Sequence, residues 1–152
     1  MAARPRPPDP GSLAALAAAD QRAAAHRDTL AWAAALVHDG ALLVPHTGPW
    51  AARAFASVQP HRWVTRCPHI DRARGHLPMA IPARGHLACR GCLASTAVEL
   101  DWRFPRCRSC DTPRPGVLSH RVHVAQLRHV LAYGRLCFTC STIEHDAIRE
   151  AR

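Results

Sequence analysis

Seven cysteines and one nearby histidine are the residues of this sequence whose types and spacing could do chemistry. They fall into four pairs along the chain: Cys67/His69, Cys89/Cys92, Cys107/Cys110 and Cys137/Cys140. Thiolate and imidazole are ligands that Zn²⁺ prefers, and a structural zinc ion takes four of them in a tetrahedron. The eight side chains therefore predict two structural Zn²⁺ ions, each held by four protein ligands.

Other chemistry is open to these cysteines: a redox dithiol, an iron–sulfur cluster, or burial without any metal. We favour zinc because an odd number of cysteines cannot all form disulfides and no βαβ pattern of a thioredoxin-like protein is present. His69 is assigned because it is the imidazole nearest to Cys67. The alternatives to His69 are His61, His76 and His86. Three further histidines alternate with apolar residues and are predicted to face solvent: His120, His123 and His129.

Two of the pairs look like tight turns and the last one looks like the start of a helix. The second and third pairs enclose Arg-Gly and Arg-Ser, small loops that predict turns. Residues 141–152, which follow the last pair, contain no Gly or Pro, with Glu144 and Asp146 in the first turns and Arg149 and Arg152 at the end. This order predicts a C-terminal helix whose N-terminus favours the last two thiolates.

Short strands are predicted between the later pairs. Apolar and polar residues alternate over residues 98–104 and over residues 117–124, which predicts two half-buried strands. Residues 125–133 fit two structures, a short helix that ends at Gly134 or the second strand of a hairpin. The predicted fold class is a small α+β zinc-stabilised domain with short strands, a C-terminal helix and a helical N-terminal segment.

The turn at Cys107/Cys110, the strands after it and the helix-opening pair Cys137/Cys140 resemble the treble-clef group of zinc modules, which includes RING-like and FYVE-like domains. The resemblance covers residues 107–152, with residues 67–92 as a second half-site. It implies a treble-clef or zinc-ribbon-like fold. Because a predicted strand separates the second pair from the third, the spacing departs from that of a RING finger. Ubiquitin-ligase activity is therefore not implied.

The resemblance also implies how the ligands are shared. In treble-clef modules one zinc ion joins the turn to the helix-opening pair. This implies a sequential arrangement in which the first two pairs bind one ion and the last two pairs bind the other. The alternative is a cross-braced arrangement, in which the first and third pairs share one ion and the second and fourth pairs share the other.

The N-terminal third of the chain is predicted to be a tail followed by helices. Residues 1–11 are rich in proline and are predicted to be disordered. Ser12 is a suitable N-cap for a long Ala-rich helix over residues 13–37, and Gly40 is a stop signal. The apolar positions of this helix at helical spacing are Leu13, Leu16, Ala23, Leu30, Ala34 and Val37.

That Ala-rich helix is predicted to pack on its own domain, and the alternative is a homodimer through residues 13–37. A short strand is predicted at residues 41–44 and a second helix from Pro49 to about Val58, anchored by Trp50 and Phe55. We expect residues 12–60 to form a helical segment packed on a two-zinc module at residues 61–152.

Charge and composition limit the function classes. All 20 basic residues are arginine, which fits the coding bias of a GC-rich genome, and the formal net charge is +9. Seven thiolates and two zinc ions would lower that charge to about +6. Arginines cluster near both ligand groups, where they either form a basic face or balance the anionic zinc–thiolate centres: Arg62, Arg66, Arg72, Arg74, Arg84, Arg90, and Arg103, Arg106, Arg108, Arg114.

These observations favour an interaction module over an enzyme. No paired-carboxylate site, nucleophile motif or phosphate loop is present in the sequence. The repeated Cys-X-X-Cys pairs fit a reducing compartment, no signal peptide is recognised, and no apolar run is long enough to cross a membrane. We therefore expect a cytoplasmic protein in which structural zinc supports binding of a protein partner. The alternative is a nucleic-acid-binding or transcription-associated zinc protein.

Overall fold

The computed structural model describes residues 11–59, 64–73, 76–93, 106–113 and 118–150. The predicted strand over residues 98–104, the predicted tail apart from Gly11, the whole of His61 and the side chain of His120 lie outside these ranges. The helices and strands are, in chain order, α1 (Leu13–His38), β1 (Leu42–Leu43), α2 (Pro49–Ser57), β2 (Thr65–Arg66), α3 (Pro68–Arg72), β3 (Met79–Ile81), β4 (His86–Cys89), β5 (Leu118–Leu127), β6 (Val130–Cys137) and α4 (Phe138–Glu150).

Two antiparallel hairpins form the centre of a six-stranded sheet with the order β1-β5-β6-β3-β4-β2. The β5–β6 hairpin has a two-residue loop in which Arg128 has a φ of 54°, and it pairs Ala125 with Ala132. This settles the ambiguity over residues 125–133 in favour of a hairpin. Strands β3 and β4 form the second hairpin, and β3 runs parallel to β6, so the two hairpins lie side by side. Short parallel pairings add β1 and β2 at the edges.

Helices pack on both faces of this sheet. Successive residues of a strand point to opposite faces, so neighbouring residues contact different helices. Val124 and Leu131 point towards α1 and pack with Trp32. Their neighbours Ala125 and Ala132 point to the other face and join the larger core, which includes α2. The fold is therefore a mixed α+β domain with a six-stranded sheet and a C-terminal helix.

The predicted helices are present, with the expected boundary signals. The Ser12 side chain accepts a hydrogen bond of 3.2 Å from the Ala15 N–H at the start of α1, and Gly40 has a φ of 96° just beyond its end. Helix α2 begins at Pro49 as expected, and its predicted anchors Trp50 and Phe55 are both buried.

The buried face of α1 is not the one that its leucines indicated. The residues of α1 that are buried are Ala25, Thr29, Trp32 and Ala33. By contrast, Leu16 and Leu30 are 54% and 48% exposed, and Leu13 and Val37 are also exposed. The physical reason is Trp32, which gives the helix one large apolar side chain to bury, and which fits against Val124 and Leu131 of the sheet. An apolar stripe consequently remains on the outer side of α1.

Candidate metal centres

The candidate ligands form two clusters, which we call the first and second centres in chain order. The second centre consists of Cys107, Cys110, Cys137 and Cys140, whose four sulfur atoms all lie within 4.8 Å of one another. A tight loop supplies the first two ligands. Arg106 and Pro113 pair as an isolated bridge at its base, and the Cys107 N–H donates to the Thr112 carbonyl at 3.2 Å.

The other two ligands of the second centre come from the junction of a strand and a helix. Cys137 is the last residue of β6, and Cys140 lies in the first turn of α4. The Cys137 N–H donates to Cys107 Sγ at 3.1 Å, which ties the junction to the loop. Cys107 and Cys137 are fully buried and belong to the larger core, whereas Cys140 is half-buried and Cys110 is exposed. Loss of this centre would therefore disturb the core itself.

The first centre consists of Cys67, His69, Cys89 and Cys92, whose ligand atoms also lie within 4.8 Å of one another. Cys67 is the N-cap residue of α3, and His69 lies in the first turn of that helix. His69 Nδ1 is 3.3 Å from Cys92 Sγ and 3.8 Å from Cys89 Sγ. The three cysteines are half-buried and His69 is exposed. This centre therefore lies closer to the surface than the second one.

The two centres are built on the same plan. Cys89 is the last residue of β4 and residues 90–93 are helical, so the first centre also takes two ligands from a strand-to-helix junction. The Cys89 N–H donates to Cys67 Sγ at 3.3 Å, the counterpart of the bond from Cys137 to Cys107. The prediction of a turn at Cys89/Cys92 is therefore wrong. Gly91 made a helical turn hard to foresee, because glycine is a poor helix former.

The ligands are grouped sequentially, as the resemblance implied, and not in the cross-braced arrangement. His69 lies with the cysteines of the first centre, whereas His76 Nδ1 is 2.7 Å from Gln21 Oε1 on α1. A tetrahedral zinc ion with Zn–S bonds of about 2.3 Å requires sulfur atoms about 3.8 Å apart. Four donors within 4.8 Å of one another fit this requirement, so both clusters are compatible with a structural metal ion.

Each centre contains one thiol that ionises easily. At Cys67, burial opposes ionisation, but hydrogen bonds from the Cys89 and Ile70 N–H groups outweigh it and lower the pKa to about 7. Hydrogen bonds from Thr112 lower the pKa of Cys110 to about 6. The more readily ionised thiol of each centre would provide the first ligand for a cation.

The neighbouring thiols resist ionisation for two different reasons. Interaction with Cys89 raises the pKa of Cys92 to about 11, and burial raises the pKa of Cys140 to about 12. Burial also raises the pKa of Cys107. A divalent cation would reverse this preference, since it stabilises several thiolates at once.

Two arginines hold the loop of the second centre. Arg53 of α2 donates to Ser109 Oγ, and Arg84 donates to the Ser109 carbonyl at 2.8 Å. Ser109 lies between the two cysteines of the loop and is buried. Arg84 was grouped with the first centre from its sequence position, but its hydrogen bond is to the second. Arg53 was missed altogether, because nothing local links it to a residue 56 positions away.

A buried polar side chain of α4, the helix that carries Cys140 of the second centre, forms a hydrogen bond to α2. Glu144 is almost fully buried, and its Oε1 accepts a hydrogen bond of 2.6 Å from the Trp50 N–H at the start of α2. Burial raises the pKa of Glu144, although the Trp50 hydrogen bond and Arg53 oppose this.

His123 of β5 is also part of this region. The prediction that His123 faces solvent is wrong: it is fully buried, and its Nε2 lies 3.0 Å from Ser141 Oγ. Burial lowers its pKa to about 4, so the ring is neutral near pH 7.

Among the described helices, none has the length and apolar character that a membrane span requires.

Comparison with known proteins adds no further assignment. No family model, curated protein or solved structure matches this chain.

Proposed function

We propose that this chain is a structural zinc protein whose two zinc ions hold a rigid surface for a protein partner. The observation that carries the proposal is the pair of clusters, each of four ligand atoms within 4.8 Å of one another. In each cluster, four protein side chains would fill all four positions around a tetrahedral zinc ion. A catalytic zinc ion keeps a position for water, so four protein ligands favour a structural role.

The arrangement of elements supports a treble-clef type for both halves. The second half has a ligand loop, the β5–β6 hairpin, and a helix whose first turn carries the last ligand. In the first half, the β3–β4 hairpin leads in the same way to the helical turn at residues 90–93. Two such units joined through β3 and β6 would form one sheet with a metal centre at the end of each hairpin.

The contacts of three arginines and the exposure of large apolar side chains support a protein partner rather than nucleic acid. Arg53 and Arg84 are hydrogen-bonded to the loop of the second centre, and Arg90 lies over the Trp32 ring at 5.8 Å. Their charges are thus placed near the metal centres and the core. Large apolar side chains such as Phe138 and Ile143 of α4 remain exposed, as a protein-binding surface requires.

Metal counting tests the zinc proposal. Elemental analysis and native mass spectrometry of the purified chain should give two zinc ions per 16.6 kDa chain. The substitution His69→Ala should reduce the count to one or weaken retention of one ion, whereas the matched control His76→Ala should leave two. A wild-type count of one or none would contradict the two-centre proposal. An equal effect of both histidine substitutions would contradict the assignment of His69.

A further inference from the structure

The outer side of α1 carries a continuous row of positions with alternating spacings of three and four residues. We call this row the α1 seam, and its members are Leu13, Leu16, Asp20, Ala23, Arg27, Leu30, Ala34 and Val37. All eight are exposed. Spacings of three and four residues are those of the a and d positions of a coiled coil, which place side chains along one line of contact with a second helix.

The α1 seam faces away from the domain. At 100° per residue, its mean direction lies about 170° from the face that carries the buried residues Ala25, Thr29 and Trp32. The seam extends over about 36 Å, the length of 24 helical steps. A second helix could therefore lie along it without displacing the contact between α1 and the sheet.

The sizes of the seam side chains favour an antiparallel partner of identical sequence. When two such helices run in opposite directions with a and d positions facing, Leu13 lies opposite Val37 and Leu16 lies opposite Ala34. Large side chains thus meet small or medium ones. In a parallel pair each residue would face its own copy, and Ala34 would face Ala34 across a gap that no side chain fills.

The two charged positions of the seam favour the same orientation. A parallel pair would stack Asp20 on Asp20 and Arg27 on Arg27, and both contacts would be repulsive. In the antiparallel pair, Asp20 of one copy lies one layer, about 4.5 Å along the axis, from Arg27 of the other copy. The two-fold symmetry repeats this pairing, so two complementary contacts replace two repulsive ones.

We propose that two copies of this chain associate through the α1 seam as an antiparallel helix pair. The zinc centres lie on the other elements of the domain, so this association does not depend on the proposed zinc function. The domain of each copy would lie on the far side of its own α1.

Charge reversal tests both the association and its direction. Sedimentation or light scattering of the zinc-loaded full chain should give twice the chain mass of 16.6 kDa. Asp20→Arg should raise the dissociation constant at least about tenfold, because it places two arginines beside each other. The double substitution Asp20→Arg with Arg27→Asp should restore dimerisation in an antiparallel pair. It would not do so in a parallel pair, where like charges would still face each other.

Matched controls separate the seam from the rest of the surface. Asp28→Arg makes the same charge change on another side of α1 and should not alter the mass. Leu30→Ser should weaken the dimer, whereas Leu43→Ser, a leucine of similar exposure on β1, should not. Circular dichroism checks that each variant keeps its helix content. A wild-type monomer at concentrations up to about 100 µM would overturn the proposal. So would a dimer that is insensitive to Asp20→Arg and Leu30→Ser, or one that the double substitution fails to restore.

Discussion

Cys137 and Cys89 occupy equivalent positions in the two centres, but substitution of each by serine should have unequal consequences. Each ends a strand and donates its N–H to the first thiol of its centre. Cys137 is buried in the larger core together with Cys107, whereas Cys89 is half-buried at the margin of that core. We therefore expect Cys137→Ser to prevent folding, and Cys89→Ser to remove one metal ion from a chain that still folds.

The expected magnitudes follow from the free energy of structural zinc. Zinc binding contributes roughly 10–16 kcal/mol to folding in small zinc domains, and a whole domain is stable by only about 5–15 kcal/mol. Loss of the second centre would leave buried thiols without their cation in the core that anchors α2, β6 and α4. At the first centre, the affected elements are short and lie towards the β2 edge of the sheet: α3, the edge strand β2 and the helical turn at residues 90–93.

Metal counting combined with thermal unfolding distinguishes these outcomes. Cys89→Ser should retain one zinc ion and a cooperative transition at a reduced temperature. Cys137→Ser should show no cooperative transition by circular dichroism and no stoichiometric zinc. The reasoning would be refuted if Cys137→Ser melted like the wild-type protein, or if Cys89→Ser unfolded as completely as Cys137→Ser.

Two further substitutions test the packing around the centres. Burial raises the pKa of Glu144 above its unfolded value, so its contribution to stability is greatest at low pH and falls as pH rises through the folded pKa. Glu144→Gln keeps an acceptor for the Trp50 N–H, so its stability relative to the wild-type protein should increase as the pH rises above the ordinary carboxyl pKa of 4.5 and through the folded pKa. Zinc-saturated denaturant titrations at a series of pH values measure this, and a difference that does not change with pH would contradict the assignment. Trp32→Ala should cost about 3–5 kcal/mol, because it removes the side chain that holds α1 on the sheet. Leu43→Ala, at an exposed leucine, should cost less than about 1 kcal/mol, and equal costs in chemical denaturation would contradict this account of α1 docking.

Local interactions explain which features could be predicted from the sequence. Ser12, Gly40 and Pro49 mark helix boundaries through their own backbone and side-chain chemistry, and the structure confirms all three. The Cys-X-X-Cys spacing likewise brings two sulfurs together within one short segment. These inferences need no knowledge of distant residues, which is why the grouping of the candidate ligands into pairs and the boundaries of α1 and α2 agree with the structure, whereas α3, β3 and β4 were not predicted.

Features that depend on distant contacts were predicted less well. The loop 107–112 is held by Arg53 and Arg84 from two other parts of the chain, and neither has a local signal. His123 alternates with apolar residues as a solvent-facing strand residue would, yet α2 and α4 cover it through Trp50 and Ser141. Burial of a polar side chain depends on which elements cover it, and a strand pattern alone does not specify them.

The sequence by itself determined the identity of the eight candidate ligands and their division into four pairs, because these depend on residue type and short spacing. Only the tertiary structure decided how the pairs combine. The parallel contact between β3 and β6 places the two hairpins side by side, and each hairpin closes its own centre. Tertiary packing also decided which face of α1 is buried, because Trp32 fits a surface formed by strands nearly one hundred residues away in the chain. The leucine row that looked like a core face is left on the outside, where a partner can reach it.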